Sequence, residues 1–121
     1  MATLMVNGGK AIVTNRIKGS GTEPSYVAWG TGAGTTSATD PTLFTETGSR
    51  VSGASTQVTT STTNDTYQVV ATMSAGSSLT ITNAGLFDAS SSGNLFVKGD
   101  FTSIGLSSGD SIQFTIKTQF S

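Results

Sequence analysis

The stretch Ser111-Ile112-Gln113-Phe114-Thr115-Ile116-Lys117-Thr118-Gln119-Phe120 decides the fold class. Ile112, Phe114, Ile116 and Phe120 fall on one face, with Thr118 filling the gap. Ser111, Gln113, Thr115, Lys117 and Gln119 fall on the other. A period of two is that of a β-strand with one face in a core and one in water. A slip of one residue would expose all four apolar side chains, so the register of this strand is well specified.

The same period recurs elsewhere in the chain. Thr66–Ser74 places Tyr67, Val69, Ala71 and Met73 on one face, and Ser78–Thr82 alternates Leu79 and Ile81 with threonine. Leu95–Phe101 groups Leu95, Val97 and Phe101, with Gly99 between them, and Tyr26–Gly30 is short and mostly apolar. Ser55–Thr62 is a weaker candidate, nearly all Ser and Thr around Val58. Threonine suits a strand because its branched Cβ fits the pleat. Ala75-Gly76-Ser77, Ser90-Ser91-Ser92-Gly93-Asn94 and Ser107-Ser108-Gly109-Asp110 separate these runs with turn chemistry. Short strands at this spacing imply a mostly β protein: an antiparallel β-sandwich, jelly-roll-like or a small barrel, in a single domain over residues 1–121.

Two segments break the pattern. In Gly8–Lys18, Val13 and Ile17 are four apart and would share one helical face, Asn7 can cap the start and Gly19 can end it. One short N-terminal helix is expected there. Gly30–Gly53 has little regularity, and a loop of that length in a small domain is expected to wrap the sheet or reach a neighbour. Within it, Thr42–Arg50 is expected to hold a helical turn.

Composition excludes whole classes of chemistry. Of 121 residues, 22 are Thr, 18 Ser and 15 Gly, whereas charged residues are 11 % against about 25 % in an ordinary globular protein. The absence of His and Cys removes imidazole bases, thiol nucleophiles, disulfides and the usual zinc ligands. A net charge of −1 without a basic run gives nucleic acid nothing to bind. No apolar run approaches the roughly 20 residues of a membrane span. Met1–Val6 meets Asn7-Gly8-Gly9 at once, too soon for a signal peptide. No enzyme, cofactor or metal is therefore expected.

The remaining motifs have ordinary structural readings. Gly30-x-Gly32-x-Gly34 lacks the third spacing of a dinucleotide fingerprint and the Lys of a P-loop, so it reads as a turn. Asp40, Asp65, Asp88, Asp100 and Asp110 are scattered singly at turns and strand ends, where carboxylates bond nearby backbone N–H groups. Asn64-Asp65-Thr66 matches a glycosylation sequon but stands without a secretory signal. Glu46 and Arg50 would pair across one turn of the expected helix, or Arg50 would clamp a loop or a neighbouring subunit. Trp29, the only Trp, fills the core or anchors an interface. Leu4, Met5 and Val6 would give residues 1–6 the character of an arm that docks on a partner or adds a strand to its sheet.

Three stretches in order carry a resemblance. They are Tyr26-Val27-Ala28-Trp29-Gly30-Thr31-Gly32-Ala33-Gly34 with Thr42-Leu43-Phe44-Thr45-Glu46 and Arg50; Ala84-Gly85-Leu86-Phe87-Asp88-Ala89 with Gly93-Asn94-Leu95; and the closing Gly109-Asp110-Ser111-Ile112-Gln113-Phe114. Together they resemble small structural proteins of tailed bacteriophages, and the "GLFDA…GNL" hairpin is similar to one in tail-collar fibres. The resemblance implies a virion protein. It favours a capsid decoration (cement) protein, made in the host cytoplasm and bound to the outer capsid surface. Its expected partners are the major capsid protein and copies of itself, as a homotrimer. A tail, baseplate or fibre-attachment component is the alternative, and a carbohydrate-binding module a more distant one.

Overall fold

Along the chain, the computed structural model, which describes residues 3–121, forms β1 (Thr3–Met5), α1 (Asn7–Lys18), β2 (Tyr26–Gly30), β3 (Glu46–Ser52), β4 (Ala54–Val58), β5 (Thr66–Ser74), β6 (Leu79–Phe87), β7 (Leu95–Leu106) and β8 (Ser111–Gln119). Five strands make one sheet in the order β1-β7-β6-β2-β3, and three make the other in the order β4-β5-β8. Every pairing is antiparallel. The expected β-sandwich with one short helix is what the chain adopts.

β8 alternates exposed and half-buried residues over its whole length. Its inward residues, with Val69, Ala71 and Met73 of β5, face Val27, Trp29, Ile81, Leu86 and Val97 of the larger sheet. Trp29 meets Phe114 edge-on at 6.3 Å, and Tyr67 meets Phe96 at 6.0 Å, the offset geometry aromatic rings prefer. Trp29 is thus a core residue, 3 % exposed.

The larger sheet is covered on its other face too. Ala28, Phe87 and Leu95 point away from the inter-sheet core and pack with Val6 and Leu43 into a second, smaller one. That double burial explains why β6 and β7 are longer than alternation suggests: β6 continues through Asn83-Ala84-Gly85-Leu86-Phe87, a run buried on both faces. Segment 31–45 is irregular and lies over this face, the wrapping expected of it.

Three local expectations are corrected. The N-cap of α1 is Val6, not Asn7; Asn7 is the first helical residue and its N–H bonds Ala38 O at 2.8 Å. The chain passes from β1 straight into the helix, so Val6 is buried and no side chain caps it. The buried helical stripe is Gly9 and Ile12, with Val13 half-buried and Ile17 80 % exposed. A Cβ on Gly9 would overlap the Phe96 carbonyl, so the bare glycine lets the helix touch β7 and sets its rotation. Ile17 then lies about 140° around from Ile12. Gly19 does end the helix, at φ 96°. Finally, Thr42–Arg50 holds no helical turn; Glu46–Ser52 is edge strand β3. Val51 pairs with Val27 but Thr47 with Trp29, so Gly48, Ser49 and Arg50 bulge opposite Ala28 alone, with Gly48 at φ 72°.

Candidate functional site

The five residues singled out for an interface are not brought together. Leu4 and Met5 sit on β1 at one edge of the larger sheet, and Arg50 on β3 at the other. Thr3, Leu4 and Met5 pair with Gly99, Lys98 and Val97 of β7, and Val6 is fully buried, so residues 3–6 are part of the chain's own sheet. Met1 and Ala2 of the expected arm lie outside the described residues. Arg50 turns its donors inward. It holds Glu46 through Nε at 2.8 Å and Nη2 at 3.0 Å, donates through Nη1 to Ala89 O (2.8 Å) and Ser92 O (2.7 Å), and stacks 3.5 Å over the Phe87 ring. The Glu46 pair therefore exists, but the bulge of β3 and not a helical turn brings its partners together.

The strongest polar site is internal. Lys98, fully buried on β7, donates to Asp40 Oδ2 at 2.9 Å and Thr42 O at 3.0 Å, with its ammonium 3.3 Å from the Phe44 ring centroid. Asn83, also fully buried, accepts from Phe44 N–H at 3.0 Å and donates to Phe44 O at 3.1 Å, like a strand partner for that residue. Thr82 donates to Gly32 O, and Asp100 accepts from Thr36 N–H at 2.9 Å. These bonds pin segment 31–45 to the sheet as a strap. Gly32 and Gly34 leave room for Phe44, whose atoms a Cβ at either position would crowd; that is the use of the Gly-x-Gly-x-Gly run. The Ser37 N–H and then Lys98 hold the Asp40 carboxyl below the usual carboxylate range.

The remaining aspartates do local work. Asp65 accepts from the N–H groups of Thr60, Ser61 and Thr62, which hold it well below the ordinary range. Asp88 and Asp110 close their loops on Asn94 and Ser107. Among the described residues no group of three or more acidic side chains is placed to hold a metal, and no helix is long and apolar enough to cross a membrane.

What the fold leaves open is one side of the sandwich. Among the described residues, β7 pairs with β1 only from Val97 to Gly99, and Asp100–Leu106 has no described strand beyond it. β8, joined to β7 by a short turn, is the edge of the smaller sheet. A cleft of about 340 Å³ opens between them, lined by Gly99, Phe101, Phe114, Ile116, Thr3 and Lys117. Phe101, Ile112, Phe114 and Ile116 are only half-buried, and Ile104 and Phe120 are 41 % and 46 % exposed. Apolar side chains beside unpaired strand edges are the features of an assembly surface. Edge status depends on strand order, which the alternation of β8 alone does not reveal.

A family model described as "Podophage GP4 fiber I protein gp80" matches residues 13–119. Neither the curated proteins nor the solved structures contain a match to the chain.

Proposed function

The chain belongs to the family of the podophage GP4 fiber I protein gp80 and is a structural protein of a tailed-phage virion, and from that premise we propose that it acts as a fibre or fibre-attachment component, assembled side by side with other virion subunits. The observation that carries this reading is the open side of the sandwich. A subunit whose β8 edge is unpaired among the described residues, with half-buried aromatics between it and β7, gains backbone pairing and apolar burial by joining a neighbour. Trp29, Val6 and Arg50 are spent inside the subunit, so assembly falls to strand edges.

Capsid decoration is the second reading, favoured by a different surface. The outer face of the smaller sheet carries Thr56, Gln68, Thr72, Ser74, Ser111, Gln113, Thr115 and Gln119 with Lys117 as its charge. Copies packed densely on a shell, bound to the major capsid protein, repel one another little through such a face. Cryo-electron microscopy of the particle separates the two. Density for this sandwich in fibres or their attachment collar supports the first. Copies spread over the shell replace it with the second, and absence from the particle overturns both.

A further inference from the structure

The four sheet edges of this subunit are not equivalent. β4 is five residues long, and β3 is bulged and carries Glu46 and Arg50, while β1 spans Thr3–Met5 among the described residues. Shortness, bulges and charges are the devices by which proteins keep edges from pairing. β8 has none of the first two: its nine residues pair with β5 in unbroken register, without Pro, Gly or bulge, and Lys117 is its single charge.

β8 is also self-complementary. With Thr115 of two copies on a twofold axis, antiparallel pairing sets Ser111 against Gln119, Ile112 against Thr118, Gln113 against Lys117 and Phe114 against Ile116. All nine residues are used. Side chains facing the core stay on the core side, as antiparallel pairing requires of directly opposed residues. The two Lys117 face Gln113 and not each other, so no like charges meet. The cleft lined by Phe101, Phe114 and Ile116 borders this edge, and a second copy would cover it.

We propose that the partner of the open side is a second copy of this chain, joined β8 to β8 so that two three-stranded sheets become one six-stranded sheet. This deepens the assembly reading above and rests on it for its biological setting.

The chain has no Cys and 12.3 kDa of mass, which makes the test direct. Light scattering on the purified full chain should give twice the subunit mass. Thr115→Lys sets two like charges opposite each other at an exposed site and should weaken the dimer by up to about fivefold. Thr72→Lys adds the same charge one strand further in, on the same exposed face, and should leave the dimer intact. Thr115→Cys should oxidise to a disulfide-linked dimer, since directly opposed Cα atoms lie about 4.5–5.5 Å apart, within disulfide reach. A mass of one or three subunits, a Thr115→Lys variant that dimerises as the wild type does, or a Thr115→Cys variant that forms no cross-link overturns the proposal. Failure here with the protein still found in virion fibres would leave the fibre reading standing.

Discussion

The ion pair between Lys98 and Asp40 makes an asymmetric prediction. The two groups are 2.9 Å apart, but their surroundings differ: the Lys98 side chain is 0 % exposed and that of Asp40 20 %. At that separation the gross attraction is about 6 kcal/mol at an effective dielectric near 20, much of it offset by the cost of enclosing the ammonium. Asp40→Ala removes the counter-charge and leaves that ammonium enclosed. Loss of one partner from a buried pair costs about 3–5 kcal/mol, and the remaining Thr42 carbonyl and Phe44 ring place this case toward the lower end. Lys98→Met keeps the volume of the stem and removes the enclosed charge. Asp40 then keeps the Ser37 N–H, at 2.9 Å, and water. The Asp40 carboxylate exchanges the lost ammonium for water, and the Thr42 carbonyl loses its Lys98 donor, at about 1–2 kcal/mol.

Urea denaturation at neutral pH measures both. Asp40→Ala should be the more destabilising by about 2 kcal/mol, and the double variant should recover part of the Asp40→Ala loss, because the enclosed charge is gone. Slopes should stay close to wild type, since the surface exposed on unfolding is unchanged. If Lys98→Met costs as much as Asp40→Ala, or the double variant is worse than either single one, the charge is not enclosed as described.

Three further outcomes follow from the same packing. Asn83→Ala leaves Phe44 N–H without its partner and Phe44 O with the Gly32 N–H alone and should cost about 1–3 kcal/mol, with limited proteolysis cutting first within residues 31–45; an unchanged cleavage rate there would refute the strap. Gly9→Ala, which in an exposed helix would stabilise by about 1 kcal/mol, should instead destabilise by about 1–3 kcal/mol because its Cβ meets Phe96 O; a rise in the thermal midpoint would contradict that contact. Asp40 and Asp65 have carboxyls held below their unfolded value, near 3.9. Depressed folded values stabilise above the unfolded value and lose that effect as pH falls through the folded one. The urea midpoint should therefore hold steady down to about pH 5 and decline below about pH 4, less steeply in Asp65→Asn, and a midpoint that rises on acidification would reverse the sign of the argument.

Strands that bury one face were legible. β5 and β8 carry an apolar residue at nearly every second position, and nothing but a strand puts those residues together. β3 was not, because Glu-Thr-Gly-Ser-Arg-Val-Ser has no alternation to read; its Glu46 and Arg50, four apart, suggest a helix only if the backbone is assumed regular. The bulge at Gly48 produces the same proximity in a strand. Helix α1 was placed correctly but rotated wrongly, because counting apolar residues gives no weight to Gly9, whose missing side chain decides the contact with β7. The strap was visible only as an irregular length. Its anchors had a signal, a lone Lys98 after Leu95-Phe96-Val97 and a lone Asn83 between Ile81 and Leu86, each polar within an apolar run. Their partners are far away in sequence, Asp40 by 58 residues and Phe44 by 39, on a segment with no period of its own.

The low charge content acquires two meanings once the strands are ordered. Inside, few charges mean that each buried one has a fixed partner, and Lys98 and Asn83 hold the strap in place of a larger core. Outside, few charges leave the edge of β8 almost undefended, which a subunit meant to stay alone could not tolerate. Pairing along that edge draws on backbone groups, so it is insensitive to most side chains on the hydroxyl-rich face. Neutral substitutions at Thr56 or Gln68, away from the edge on β4 and β5, should leave assembly unchanged, whereas a charge at Thr115 weakens it. A surface that assembled through side-chain anchors would show the opposite pattern: sensitivity to truncation of single large residues. The large residues first suspected of that role, Trp29 and Arg50, already have their partners within the subunit, which is why the β8 edge, and not either of them, is the assembly surface proposed here.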